Sequence, residues 1–153
     1  VVSISAETVA RLAQIKNIIG IKEATGSLEH ISDVIRKTPE DFIVLSGDDF
    51  TSMPTVCIGG HGVISVISNV YPQGMAQMME AVIGGDLAKA NELHYQMYDA
   101  MKLMFSVPSP APAKKALEMM GMIQNGDPRL PIAPMAEGPA ENLRKGLVGL
   151  GLV

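Results

Sequence analysis

The sequence contains one cysteine, no tryptophan, no block of like charges and no long apolar run. The lone Cys57 excludes an internal disulfide framework and is typical of a reducing compartment, so we expect a cytoplasmic protein. With a formal net charge of −4 and no basic block, neither a nucleic-acid surface nor a polybasic membrane patch is expected. No apolar stretch approaches the length of a bilayer span, and the N-terminus lacks the pattern of a signal peptide. We therefore expect neither a nucleic-acid nor a membrane partner.

The 153 residues have the length of one ordinary domain, and 47% of them are hydrophobic, enough to bury a sizeable core. The chain begins at Val1 rather than at a methionine. This start indicates a piece of a longer polypeptide, although trimming or processing would also explain it.

Apolar periodicity predicts three strand–loop–helix units after an opening helix. The predicted strands are short β-branched runs over residues 18–24, 42–46 and 62–66. Amphipathic spacing predicts helices over residues 6–15, 28–37 and 50–57, and from about Pro72 to the Gly84-Gly85 pair. Ser5 is the expected N-cap of the first helix. Further helices are predicted over residues 86–105, 113–120 and 139–147, with a rigid, extended, proline-rich connector at residues 107–112.

Strand, loop and helix in repeated succession indicate an α/β fold, with parallel strands joined by right-handed crossovers. We predict a β/α part over residues 1–85 and a helical region over residues 86–153. Three parallel strands alone would leave two unpaired edges and apolar faces that need covering. The pattern therefore predicts a sheet with more strands than this sequence supplies.

Lys22 lies in a short apolar run, Ile18 to Ala24, that is typical of a strand buried on both faces of a parallel sheet. Burial disfavours a charged ammonium and favours the neutral amine, so a buried lysine usually has a function or a partner. A neutral amine can attack a carbonyl carbon, the first step of Schiff-base catalysis. The alternative is a lysine whose stem packs in the sheet while its amine reaches water. Because side chains alternate along a strand, Glu23 is expected to point away from Lys22, toward the helices.

The loops contain further candidates, each with an alternative. Gly47 ends the second strand and either lets a small substrate approach the backbone or serves the turn, which is slightly favoured. Asp48-Asp49 suggests a metal, but a helix follows at once, which favours Asp49 as its N-cap. Gly59-Gly60-His61-Gly62 precedes a strand, whereas a phosphate-binding loop follows one, so a tight turn is favoured.

The histidines show no metal-ligand spacing, and we expect His30, His61 and His94 to face solvent. Ser65 has neither a nearby acid–base partner nor the glycines of a nucleophile elbow, which argues against serine hydrolysis. Cys57 is expected to be a small buried apolar residue.

Several motifs occur in an order and spacing that are not generic. They are Ile-Lys-Glu-Ala-Thr-Gly at residues 21–26, Ser-Gly-Asp-Asp at 46–49, Gly-Gly-His-Gly-Val-Ile-Ser-Val at 59–66, Asn-Val-Tyr-Pro at 69–72, Pro-Ala-Pro-Ala-Lys at 110–114 and Arg-Leu-Pro at 129–131. With these motifs the chain closely resembles, over its whole length, the dihydrodipicolinate synthase family of pyruvate-dependent class I aldolases. The resemblance implies the C-terminal half of a (β/α)8 TIM barrel enzyme, with residues 1–85 as its last three βα units and residues 86–153 as a C-terminal helical region.

The resemblance also implies an activity and its residues. Lys22 would form a Schiff base with pyruvate, and the derived enamine would add to aspartate 4-semialdehyde to give 4-hydroxy-tetrahydrodipicolinate, in lysine and diaminopimelate biosynthesis. Gly47 and Ile64 would line the pyruvate pocket through backbone approach and packing. No metal or organic cofactor is implied, because the lysine itself is the electron sink. A homo-oligomer, commonly a homotetramer in the family, is implied too.

Much of the family's machinery, including a tyrosine proton relay, lies on the N-terminal half of the barrel, which is the implied partner of this chain. We therefore expect the 153-residue polypeptide to be inactive alone. Two alternatives stay open. One is a sister lyase such as N-acetylneuraminate lyase or a keto-deoxy-sugar aldolase, although Glu23-Ala24-Thr25-Gly26 and Gly47-Asp48-Asp49 favour the synthase. The other is a non-catalytic half-barrel that serves as a binding or assembly module.

Overall fold

A computed structural model describes residues 2–153 as an α/β structure with a small parallel sheet. The strands are β1 (Gly20–Glu23), β2 (Ile43–Ser46) and β3 (Gly62–Val63). The helices are α1 (Ala6–Leu12), α2 (Leu28–Lys37), α3 (Ser52–Cys57), α4 (Pro72–Ile83), α5 (Leu87–Leu103), α6 (Ala111–Met119) and α7 (Glu137–Gly149), and a short 3-10 helix spans Ile67–Asn69. The predicted succession of strands and helices is confirmed.

The three strands are parallel and lie in the order β1-β2-β3, with Lys22 opposite Leu45 and Leu45 opposite Gly62. Each strand is shorter than predicted. Ile18 explains the difference for β1: its side chain packs against the core, but its residue lies before the hydrogen-bonded ladder. Apolar periodicity reports burial, and burial extends beyond the strand itself.

The chain divides into two compact units. The first comprises the chain through Ser65 together with Met79–Leu87, and the second comprises Val66–Met78 together with Ala88–Val153. In the first unit α1 and α2 pack on each other and on one face of the sheet. The core of this layer is formed by buried side chains of α1, α2 and β2 and by the residue that precedes β2: Ala6, Val9, Ile31, Val34, Val44 and Phe42.

The helix caps of the first unit follow from the sequence. Ser5 caps α1, as predicted, by accepting a hydrogen bond from the Thr8 amide at 3.3 Å. Ser27 caps α2 in the same way, with the His30 amide as donor at 3.2 Å. The bounds of α2 match the prediction because a cap, an amphipathic face and a proline beyond its end all agree.

In the second unit, α6 packs on α7, and Leu103 at the end of α5 lies against Gly146 of α7. In α5 the apolar residues Ala90, Leu93, Met97 and Met101 are buried, whereas Leu87 is exposed. The extended connector predicted over residues 107–112 was wrong: bends and turns lead directly into α6, which begins at Ala111. Proline is tolerated in that first turn because its missing N–H is not needed there.

Three expectations about burial were wrong. His30 is partly buried rather than solvent-facing. Cys57 is exposed, because the buried face of the short α3 consists of Ser52 and Thr55 instead. His94 is partly buried rather than solvent-facing, and its Nδ1 lies out of water without a hydrogen bond from any described residue. Within residues 2–153, no helix combines the length and the apolar composition needed to cross a bilayer.

Candidate active site

The three residues expected to form the site lie at corresponding ends of the three parallel strands. Lys22 is in β1, Gly47 follows β2 directly, and Ile64 follows β3 directly. Lys22 is level with Leu45, and Leu45 is level with Gly62. Gly47 and Ile64 each stand two residues further along, and side chains alternate along a strand. The three predicted residues therefore share one face at the C-terminal ends of the strands, which is where parallel sheets place their chemistry.

Gly47 lies directly under the Lys22 side chain. A β-carbon at Gly47 would stand 2.7 Å from Lys22 Cε and 3.0 Å from Lys22 Cγ, and 2.7 Å from the Ala24 β-carbon. These separations are shorter than any normal carbon–carbon contact. A side chain here would therefore displace the lysine, and it would also push on Ala24, whose β-carbon can move only with the backbone. Gly47 is not among the glycines with positive φ, so its turn does not require glycine. The sequence favours the turn interpretation, whereas the need for glycine in the structure is steric and comes from both Ala24 and Lys22.

Of the two interpretations of Lys22, the described residues match the one in which the amine reaches water. Its side chain is exposed, as are Ile43 (37%) and Ile64 (46%) on the same face. The reason is that no described residue covers this face of the sheet, whereas α1 and α2 cover the other. No hydrogen bond or ion pair joins the Lys22 amine to any other residue in 2–153. The amine is thus unpaired and accessible, and the desolvation expected from the sequence is not provided by the described residues.

An apolar cleft of about 250 Å³ adjoins Lys22 on the sheet. Lys22 is the only charged residue in its lining, which otherwise consists of Ile19, Gly20, Ile21, Ile43 and Leu45. Gly47 and Ile64 are not part of this lining, which extends from Lys22 toward the N-terminal ends of β1 and β2. The cleft is therefore part of the uncovered sheet face and does not coincide with the pocket expected from the sequence.

The loop after Gly47 is held by a local hydrogen-bond network. Ser46 Oγ donates to the Asp48 carbonyl oxygen at 2.8 Å, and the Asp48 carboxylate accepts from the Phe50 amide at 3.0 Å. Asp49, the predicted N-cap, does not cap α3, which begins at Ser52 with Thr51 at the cap position and no side-chain cap. The network fixes the backbone that follows the glycine beneath the lysine.

The glycine-rich segment before β3 is the tight turn that was favoured over a phosphate loop. Gly59 has a φ of +103°, and a β-carbon at Gly60 would stand 2.5 Å from Thr55 Cγ2. His61 donates its amide to the Val44 carbonyl at 2.8 Å, and its Nδ1 accepts from the Val44 amide at 3.2 Å. His61 directly precedes β3 and pairs with Val44, three residues before Gly47. It therefore lies apart from the C-terminal ends of the strands, where the Lys22 site is.

Glu23 points away from Lys22, as expected, and is buried with 4% exposure. Its Oε1 accepts from the Thr25 amide at 2.9 Å. Its Oε2 is also out of water and has no hydrogen-bond partner among the described residues. From the sequence, Glu23 is expected only to pack toward the helices. The signal for a further role is a carboxylate at a strand position that alternation assigns to the helix side.

Comparison with known proteins links this geometry to a family. The chain matches the sequence profile of the dihydrodipicolinate synthetase family over residues 1–148. It is 67% identical over 153 residues to the 4-hydroxy-tetrahydrodipicolinate synthase of Desulfotalea psychrophila. The alignment covers 100% of this chain and 52% of that protein. The chain spans about half the length of this protein and of the other curated relatives it matches.

Solved structures show the same relation. The dihydrodipicolinate synthase of Thermotoga maritima aligns with a TM-score of 0.93 and 39% identity, over 97% of this chain and 51% of that one. The chloride-inhibited dihydrodipicolinate synthase of Acinetobacter baumannii, complexed with pyruvate, aligns with a TM-score of 0.92 and 36% identity, over 97% of this chain and 51% of that one. The described backbone therefore matches half of each of these structures.

Proposed function

Because the chain belongs to the dihydrodipicolinate synthetase family, we propose that it carries the Schiff-base half of a 4-hydroxy-tetrahydrodipicolinate synthase, with Lys22 as the catalytic residue. The chain spans about half the length of its relatives, so the complete activity belongs to the assembly of this chain with the rest of the enzyme. Among the alternatives drawn from the sequence, the relatives' names favour the synthase over the sister lyases.

One observation carries the proposal: an unpaired lysine amine at the C-terminal end of a parallel strand, supported by a glycine that leaves room for its stem. The amine has no partner among the described residues, so no ion pair must be broken before it reacts. Gly47 lets the Lys22 side chain lie against the backbone of β2, which limits its directions. Positioning of this kind lowers the entropic part of a reaction barrier.

The proposed reaction begins when the neutral Lys22 amine attacks the keto carbon of pyruvate. Water leaves, and a carbon–nitrogen double bond joins the lysine to the substrate. Loss of a proton from the methyl group then gives an enamine, whose carbon adds to the aldehyde of aspartate 4-semialdehyde. The amino group of that substrate displaces the lysine, closes the ring and frees Lys22 for the next turnover. Gly47 and Ile64 line the pyruvate pocket in this proposal, on the same face as the amine.

The uncovered face of the sheet supports a larger barrel. Residues 1–85 would be the last three βα units of a (β/α)8 barrel, and residues 86–153 its C-terminal helical region. The remaining strands would then lie over the exposed Ile43 and Ile64 and enclose Lys22. Enclosure would supply the desolvation that favours a neutral amine. In this assembly the partners are the N-terminal half of the barrel and further copies in a homo-oligomer, and we place the enzyme in the cytoplasm.

The proposal can be tested with a chimera in which this chain replaces the matching 52% of the Desulfotalea psychrophila relative. Borohydride reduction in the presence of pyruvate should attach a reduced pyruvate permanently to Lys22, as read by peptide mass spectrometry. Lys22→Arg should abolish the adduct, because a guanidinium is not nucleophilic at neutral pH. Lys16→Arg changes an exposed lysine outside the strand and should leave the adduct unchanged.

Turnover separates the competing functions. The chimera should consume aspartate 4-semialdehyde with pyruvate and should not cleave N-acetylneuraminate. A folded chimera that forms no adduct would instead favour a non-catalytic assembly module. The 153-residue chain alone should show no condensation, and measurable turnover by it would contradict the proposed division of the enzyme.

A further inference from the structure

The carboxylate of Glu23 is buried, and only one of its two oxygens has a hydrogen-bond donor among the described residues. The residue is 4% exposed, and one oxygen, Oε1, accepts from the Thr25 amide at 2.9 Å. The other oxygen, Oε2, is inaccessible to water and has no partner among the described residues. Leaving a buried polar atom unpaired is costly, and the cost is higher for a charged group. A native carboxylate in this position needs a donor that residues 2–153 do not supply.

His30 does not supply it. Its Nε2 stands 4.0 Å from Glu23 Oε1, which is too long for a hydrogen bond, and it faces the oxygen that already has a partner. Lys22 directly precedes Glu23 in β1, and its side chain points to the opposite face of the sheet. Neither nearby base reaches Oε2.

A cleft of about 360 Å³ opens beside this carboxylate. Its lining comes from the N-terminal segment Val2–Ile4, from residues 21–25 and from His30. No residue of β2 takes part, so the cleft lies on the side of β1 away from β2. On that side no described strand pairs with β1, which is therefore an edge of the three-stranded sheet.

We propose that Glu23 is the receptor for an arginine or lysine side chain on a strand that adds to the free edge of β1. A strand paired there would run about 4.8 Å from β1, and side chains level with Glu23 would share its face. A guanidinium or ammonium on that face meets the Glu23 carboxylate at the cleft, and a turn of the Glu23 side chain that brings Oε2 to the cleft satisfies both its charge and its hydrogen bond. The inference rests on the proposed assembly, because the strand comes from the half of the enzyme outside this chain.

The contact gives Glu23 a role distinct from that of Lys22. The two residues are consecutive in β1, and alternation sends one to the reaction face and the other to the joint between the halves. The Thr25 amide holds the carboxylate in place at the end of the strand. The ion pair would thus set the position of the added strand against the strand that carries the catalytic lysine. Glu23 is a positioning residue in this account and does not touch the substrate.

The predicted signature is a reversal in the effect of Glu23→Gln on thermal stability. In the 153-residue chain Oε2 has no partner, so replacing the carboxylate by an uncharged amide should leave the unfolding temperature unchanged or raise it. In the chimera with the Desulfotalea psychrophila half, the same change would leave a buried cation without its counter-charge, and the unfolding temperature should fall by several degrees. Glu29→Gln alters an exposed glutamate of α2 and should have the same effect in both proteins.

A shift of the same sign in both proteins for Glu23→Gln would overturn the inference. A crystal structure of the chimera is the second measurement, and it holds even if a variant fails to fold. An arginine or lysine nitrogen within hydrogen-bond distance of Oε2 supports the inference, while water or a backbone amide in that position overturns it. Failure here is separable from failure of the proposed function: a Lys22 adduct without the stability reversal removes only the inference, and the reversal without an adduct removes only the catalytic proposal.

Discussion

The Lys22 side chain crosses the backbone of Gly47 so closely that a β-carbon on the glycine would stand 2.7 Å from Lys22 Cε. Lys22 is in β1, and Gly47 directly follows the neighbouring parallel strand β2. The register of the two strands brings both residues to the same face. The conformation of the turn does not require glycine at this position, since its φ is not in the left-handed range. Gly47 therefore leaves room for two side chains of the neighbouring segment, the Lys22 stem and the Ala24 β-carbon.

Gly47→Ala should slow adduct formation between Lys22 and pyruvate in the chimera, because the new methyl group overlaps both the Lys22 stem and the Ala24 β-carbon and displaces the segment that carries the lysine. A misplacement of about 1 Å can cost on the order of 100-fold in rate, and we expect an effect of that size. Single-turnover borohydride trapping measures it, with circular dichroism confirming that the variant is folded.

Gly149→Ala is the matched control, because a β-carbon at Gly149 meets no atom within 4 Å. It should leave the trapping rate unchanged. Equal rates for Gly47→Ala and the parent would show that the lysine does not depend on the open backbone beneath it.

Ile31 and Ile19 offer a paired test of the packed and exposed parts of the first unit. Ile31 is fully buried between α2 and the sheet, whereas Ile19 is 69% exposed. Ile31→Ala should lower the free energy of unfolding by about 2–5 kcal/mol through lost burial and the cavity that remains. Ile19→Ala should change it by less than about 0.5 kcal/mol in the 153-residue chain. Urea unfolding measures both, and a similar cost for the two substitutions would contradict the observed packing.

The ion pair between Glu7 of α1 and Lys37 of α2 predicts a specific acid dependence. The hydrogen bond from Lys37 is the largest of the effects that lower the pKa of Glu7 from 4.5 to about 2. A lowered carboxyl pKa contributes stability above pH 4.5, and that contribution is lost as the pH falls from 4.5 toward 2. Lys37→Gln should return the Glu7 pKa toward 4.5, as read from the ¹³C shift of its carboxyl group, while Lys16→Gln should not.

His94 predicts a loss of stability with mild acid in the second unit. Burial lowers the pKa of its imidazole below 6.5, because the charged ring is poorly solvated. Below pH 6.5 the unfolded chain binds a proton that the folded chain does not, so stability falls as the pH drops through 6.5. His94→Gln should flatten the dependence of the unfolding temperature on pH between 8 and 5. A parent protein whose stability is constant over that range would contradict the burial of the ring.

Several features were predictable because local signals agreed with one another. The bounds of α2 follow from a serine cap and an amphipathic face, and the cap of α1 at Ser5 follows from its first turn. The parallel pairing of three strands follows from the alternation of strand and helix. The opposite directions of the Lys22 and Glu23 side chains, with Glu23 on the helix side of the sheet, follow from the period of two along a strand.

Other features depended on partners that a local pattern does not contain. Apolar runs overestimated the strands, since Ile18 packs without pairing. Cys57 was expected inside and lies outside, because α3 buries Ser52 and Thr55. The steric role of Gly47 could not be read from its neighbours in sequence, because the side chains it accommodates belong to β1 and to Ala24, the residue that follows β1.

The sequence by itself determined the order of strands and helices, the alternation along β1 and the motifs that identify the family, because each of these depends on residues close together in the chain. Only the tertiary structure decided that Lys22 lies over Gly47, that its face of the sheet is uncovered in residues 2–153, and that one oxygen of Glu23 is buried without a donor. These relations depend on the register between strands and on which surfaces are in contact, and the free energies that set them come from residues distant in sequence.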